Sequence, residues 1–142
     1  MPVLSDFTVI QRDSDHENFD NPFTVGDTDG KLVLPFNTGG LHHAPALLSF
    51  MVRGLTTSSA RVAIKSPTTG NNEIQIGRIQ PISDANIWRH EQFVIKTNIL
   101  NSGSSQANTL IIGRVDADSP GPGNLFDDFD IRDIVCFFHQ EA

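Results

Sequence analysis

Apolar side chains along this 142-residue chain return at every second position, and almost nowhere at helical spacing over three turns. Alternation of that kind turns one face of an extended strand to a core and the other to solvent, whereas an amphipathic helix needs its apolar stripe every 3.6 residues. The chain is thereby steered to β architectures. The alternation predicts strands at Asp6 to Ile10, Lys31 to Phe36, Ala46 to Val52, Arg61 to Lys65, Glu73 to Ile79, Trp88 to Lys96, Thr109 to Val115 and Phe129 to His139. Ala46 to Val52 (ALLSFMV) is nearly all apolar, as a central strand covered on both faces would be. Between the strands stand turn-rich segments, among them PTTGNN (Pro67 to Asn72), NSGSSQAN (Asn101 to Asn108) and DADSPGPGN (Asp116 to Asn124). The prolines of the last lack an N–H for a ladder. A short helical turn is expected near Ser83 to Ile87, and a long Asp/Asn-rich loop from Gln11 to Gly30.

About eight short strands, with no βαβ alternation, no linker and no repeat period, predict one all-β domain over residues 1–142. Its architecture is a two-sheet antiparallel β-sandwich of the jelly-roll kind.

Composition narrows the partners. The net charge of −7 argues against nucleic acid or an anionic membrane surface. No apolar run approaches the roughly 18 residues of a membrane-spanning helix. One cysteine, Cys136, leaves no internal disulfide framework and no multi-cysteine zinc site. It sits in the apolar stretch Ile134 to Phe138, where a thiol acts as a small hydrophobe. Met1 is followed by Pro-Val-Leu-Ser-Asp, without a basic segment or an apolar signal core, so the expectation leans to the cytoplasm.

Two segments carry more than periodicity. In WRHEQFVIKTNILNSGSSQANTLIIGRV, a strand runs to Leu100, a polar Gly-containing loop follows, and Asn108 to Ile112 (N-T-L-I-I) opens the next strand. This resembles the penultimate hairpin of galactose-binding-like jelly rolls, including the sugar-binding domains attached to glycoside hydrolases. The terminal FDDFDIRDIVCFF looks like the closing strand of carbohydrate-binding modules of the same superfamily. LLSFMVRGL followed by ARVAIKS is similar to the paired central strands of that fold. The resemblance spans roughly residues 46 to 139. It implies a non-catalytic, lectin-like carbohydrate-binding module, and the same superfamily serves several other ligand classes.

In the resembled modules a structural calcium often joins an early loop to an aspartate of the closing strand. The chain holds thirteen Asp against four Glu, and Asp13, Asp15, Glu17 and Asp20 fall within eight residues beside Asn18 and Asn21. Such a loop can supply the six to eight oxygens that Ca²⁺ takes, although it lacks the glycine of an EF-hand loop. Asp13, Asp15, Asp20 and Asp128 are the candidate ligands, with Asp130 as an alternative to Asp128. A solvated acidic loop with Asx turns is the other reading.

Trp88 shares strand parity with His90, Gln92, Val94 and Lys96, while Phe93 and Ile95 take the opposite parity and look inward. Arg61, Lys65 and Gln75 occupy polar faces of their strands. The expected ligand-binding residues are Trp88 as the single stacking surface, Arg61, Gln75, His90 and Gln92 along a groove, and His42 and His43 from the loop after Gly39-Gly40. Amide and guanidinium groups suit sugar hydroxyls, and arginine also suits a uronate carboxylate. A solvated polar sheet face explains the same pattern. The paucity of exposed aromatics (one Trp, no Tyr) argues against a broad aromatic platform. Most of the ten Phe, such as Phe50, Phe93 and Phe137, fall at positions that read as core.

For catalysis the sequence offers no Gly-x-Ser-x-Gly, phosphate loop, His-Glu-x-x-His or dinucleotide fingerprint, so the expectation leans away from an enzyme. The main rival is a structural or assembly protein, a homo-oligomer packing through apolar strands such as Leu32 to Phe36 and Val135 to Phe138. A third reading is a small enzyme acting on a polar substrate in the groove.

Overall fold

The computed structural model describes residues 3–11, 23–25, 31–39, 45–56, 59–84, 86–102, 107–114 and 129–141. Among these residues nine strands run in chain order: β1 (Val3–Gln11), β2 (Phe23–Val25), β3 (Lys31–Phe36), β4 (Ala46–Arg53), β5 (Ala60–Lys65), β6 (Ile74–Ile79), β7 (Arg89–Ile95), β8 (Asn108–Arg114) and β9 (Phe129–Glu141). All pairings are antiparallel. One sheet has the order β1-β9-β4-β7, with β2 also paired to β9, and the other has the order β3-β8-β5-β6. The chain is a β-sandwich of the jelly-roll kind, as its alternation predicts.

Each predicted strand is present, with ends that move by three residues or fewer. The ninth, β2, lies inside the Gln11 to Gly30 segment expected as a loop. Three residues of Phe-Thr-Val are good strand formers but too few to display a period. No helix forms among the described residues of Ser83 to Ile87, and a 3₁₀ turn stands instead at Pro67–Thr69. There Thr69 and the Ser66 backbone exchange hydrogen bonds, and Gly70 and Asn71 take left-handed conformations, so PTTGNN reverses the chain.

The core lies between the sheets. β4 sends in Leu48, Phe50 and Val52, β9 sends Ile131, Ile134 and Cys136, and the facing sheet replies with Val62, Ile64, Leu110 and Ile112. Burial pushes the Cys136 thiol up to about 12, so it stays protonated and packs as a hydrophobe. Phe50 stacks on Phe93 with ring centroids 5.7 Å apart. The Phe93 ring crosses to the other sheet and lies against Gly77 of β6, where a Cβ would run into it. Glycine at this position lets the β6 backbone approach the ring.

Strand β9 changes parity partway. Phe129 and Ile131 face the core, but so do Ile134, Cys136 and Phe138. The register against β4 slips by one residue between Ser49 and Met51, and Asp133 takes φ 54 there. This is a β-bulge: one extra residue turns the rest of the strand over. As a result Phe138 is buried and Phe137 stands 44% exposed, which corrects its assignment to the core.

Candidate functional site

The outer face of the β1-β9-β4-β7 sheet is graded along its strands. Register places its side chains in rows that cross the sheet. One row is wholly apolar: Phe7 of β1, Phe137 of β9, Leu47 of β4 and Val94 of β7. Four strands at about 4.8 Å spacing make this row about 14 Å long. Phe7 and Val94 are each 59% exposed, more than a sheet face keeps open without reason. A shallow depression of about 320 Å³ adjoins the row, lined in part by Ser5, Pro45, Leu47, Val94, Phe137 and His139.

Further along the same face the chemistry becomes polar. Gln92 stands opposite Ser49, and His90 opposite Met51. The Ser49 hydroxyl and His90 Nε2 share a hydrogen bond diagonally between the two strands. Beyond them Arg53 pairs across β4–β9 with Asp130, whose Oδ2 takes bonds from its Nη2 at 2.8 Å and its Nε at 3.3 Å. Trp88, half-buried just ahead of β7, completes this end. The guanidinium carbons of Arg53 and Arg132 lie 4.5 Å and 4.1 Å from its ring centroid. A guanidinium over an indole gains roughly 0.5–2 kcal/mol, depending on how far it is desolvated. Arg132 also lies 3.6 Å from the Asp133 carboxylate at the bulge. On the inward parity of β7, Arg89 reaches the Gln80 carbonyl and stands 3.4 Å from Glu91.

The sequence-predicted site residues therefore divide. Trp88, His90 and Gln92 share the outer face of the larger sheet, with His90 and Gln92 exposed. Arg61 and Gln75 do not join them. Both belong to the β5–β6 pair of the other sheet, where Val62 and Ile64 face the core and Arg61, at the opposite parity, meets Glu73 at 3.7 Å. The expected groove of Arg61, Gln75, His90 and Gln92 is not formed, because its members lie on two different sheets and face away from each other. Polar parity identifies the solvent side of each strand but not which sheet the strand joins.

His42, His43, Asp13, Asp15, Asp20 and Asp128 lie outside the described residues. Among the described residues no group of three or more His, Cys, Asp or Glu side chains stands together to hold a metal. Asp130, the alternative calcium ligand, is paired with Arg53. No helix among the described residues is long and apolar enough to cross a membrane.

The residues that sequence reasoning missed are Arg53 and Arg132. Arg53 shares the parity of Leu47, Ser49 and Met51 in ALLSFMVR, so its solvent face was readable. Arg132 was hidden by the bulge that follows it.

No protein-family model matches the chain, and no curated protein matches its sequence. Solved structures do match its shape. A family 29 carbohydrate-binding module from Piromyces equi superposes with a TM-score of 0.59 at 13% identity, covering 94% of this chain and 91% of that one. A point mutant of a family 29 module gives 0.63 at 12% identity, covering 94% and 92%. A family 29 module mutant complexed with cellulohexaose gives 0.55 at 12% identity, covering 94% and 91%. At such identities the likeness is one of fold: the chain has the jelly-roll β-sandwich of these modules.

Proposed function

We propose that the protein is a non-catalytic carbohydrate-binding module that takes its ligand on the outer face of the β1-β9-β4-β7 sheet. One observation carries the reading. A solvent-open sheet face sets sugar-hydroxyl partners (His90, Gln92, Arg53 and Asp130) beside an apolar row able to pack against C–H faces. The fold shared with family 29 modules supports it, one of which is complexed with cellulohexaose. Trp88 enters this reading as the residue that holds two guanidiniums, rather than as a bare stacking platform.

Affinity electrophoresis in native gels containing soluble polysaccharides tests the proposal. Retardation by at least one glycan is expected, and Gln92→Ala with His90→Ala should weaken it about tenfold. A panel with no retardation would sink the reading. We further propose a structural Ca²⁺ at Asp13, Asp15, Asp20 and Asp128, supported by the acidic sequence pattern alone. Run with and without a chelator, a thermal melt should show a lower midpoint once calcium is removed, since an ion that binds the folded state stabilises it by mass action. An unchanged midpoint counts against the site.

The exposed apolar row also favours a second reading, association of two copies through this face. Light scattering on a sizing column should then give a dimer that Phe137→Ser converts to monomer. A monomer at all concentrations removes it.

A further inference from the structure

Resting on the carbohydrate reading above, we propose that the Arg53–Trp88–Arg132 cluster recognises a carboxylate, making the ligand a uronate-containing glycan rather than a neutral one. A sugar that stacks on tryptophan needs the π-surface of the indole. Here two guanidiniums are held over that ring, at 4.5 Å and 4.1 Å. The ring is thus employed in orienting cations. A guanidinium laid against an indole keeps its plane fixed and presents its N–H groups along its edges, the geometry that matches a carboxylate with two parallel bonds.

Arg53 has an edge to offer. Asp130 engages its Nε and Nη2 through a single oxygen, and among the described residues no hydrogen bond involves its Nη1. The Nη1/Nη2 edge therefore remains for a ligand, and the side chain is 34% exposed. Asp130 fixes the guanidinium from behind, so little side-chain freedom is lost when a ligand binds. His90 and Gln92 lie on the same face for the hydroxyls of the same sugar or of its neighbour.

Asp130 and Asp133 offset part of the positive charge, and the whole chain carries −7. Long-range attraction to a polyanion is therefore absent. Recognition must be local and geometric, acting within the screening distance of about 10 Å at 0.1 M salt. This distinguishes it from the diffuse binding of a basic protein to any acidic polymer. A lysine at position 53 would keep the charge and lose the fork.

The test uses the intact protein in native gels containing polygalacturonate, alginate or glucuronoxylan. The same polymers after chemical reduction of their carboxyls, and a neutral glucomannan, complete the set. At least one uronate polymer should retard the protein, with affinity falling tenfold or more on carboxyl reduction. Arg53→Gln and Arg53→Lys should both lose most of this retardation, while melting within a few degrees of the parent. Should Arg53→Gln fail to fold, the carboxyl-reduction comparison on the unmodified protein still decides. Equal binding before and after reduction overturns the inference, and so does retardation by glucomannan alone; either leaves the carbohydrate reading standing. No retardation by any polymer overturns both.

Discussion

Phe50→Ala is expected to destabilise the protein by about 3–5 kcal/mol, the usual range for removing a fully buried phenylalanine. Phe50 is 0% exposed at the centre of β4, with its ring stacked on Phe93 5.7 Å away. Its loss leaves a void that cannot collapse easily. The Phe93 ring is already pinned against Gly77 on the facing sheet, and the neighbours Leu48, Val52 and Ile134 are themselves fully buried. A domain of this size has about 5–15 kcal/mol to lose, so the variant should melt more than ten degrees lower or fail to accumulate. Urea unfolding checks the prediction, as a fall in the midpoint at an unchanged slope. Phe137→Ala is the control. That ring is 44% exposed on the outer face, and its removal should change stability by less than about 1 kcal/mol. Similar losses for the two variants would mean that the inside and outside of β9 are wrongly assigned.

The contrast between Phe50 and Phe137 shows how far the sequence could be read. Where alternation is unbroken, as in ARVAIK of β5 or RHEQFVI of β7, parity alone assigns both faces. Val62 and Ile64 are buried, and His90, Gln92 and Val94 are exposed. In FDIRDIVCFFHQE the same rule fails, because the extra residue at Asp133 inverts it and two adjacent phenylalanines leave the choice of face open. A bulge is a property of two paired strands, so a single strand's pattern cannot announce it. The candidate site was legible to the same extent. His90 and Gln92 lie on one strand with Trp88 just ahead of it, so the three could be grouped by parity. Arg53 and Arg132 come from β4 and β9, whose adjacency is set by a crossover topology that no local pattern contains. The grouping of Arg61 and Gln75 with His90 and Gln92 has the same origin. Their parity was right, and their sheet was unknowable from spacing.

Asn108→Ala should be the most damaging change outside the apolar core, by about 2–4 kcal/mol. Asn108 opens β8, is 0% exposed, and is bonded through both ends of its amide. Its Oδ1 accepts from the Asn101 backbone N–H at 2.7 Å, and its Nδ2 donates to Thr38 Oγ1 at 2.9 Å and toward the Asn101 carbonyl at 3.4 Å. Thr38, equally buried, donates to the same carbonyl at 2.9 Å. Ser66 repeats the device next door, its hydroxyl donating to the Ile99 carbonyl at 2.5 Å. These three side chains tie the β7–β8 connection to one end of the smaller sheet, where β3 and β5 finish and β8 begins, which holds Ile99 and Leu100 in the core. Alanine at 108 deletes these bonds together, strips the Asn101 amide of this partner, and opens a small void. An unmet buried group alone costs roughly 1–3 kcal/mol. Asn108→Asp separates the contributions. It keeps the acceptor for Asn101, loses the donor, and places a carboxyl where its charge is poorly solvated. Its stability should therefore improve as pH falls and the carboxyl protonates, with the folded-state pKa above the unfolded one. Thermal melts of both variants between pH 4 and 8 would show this. A melting point for Asn108→Ala within two degrees of the parent would mean that the β7–β8 connection is held by apolar packing alone.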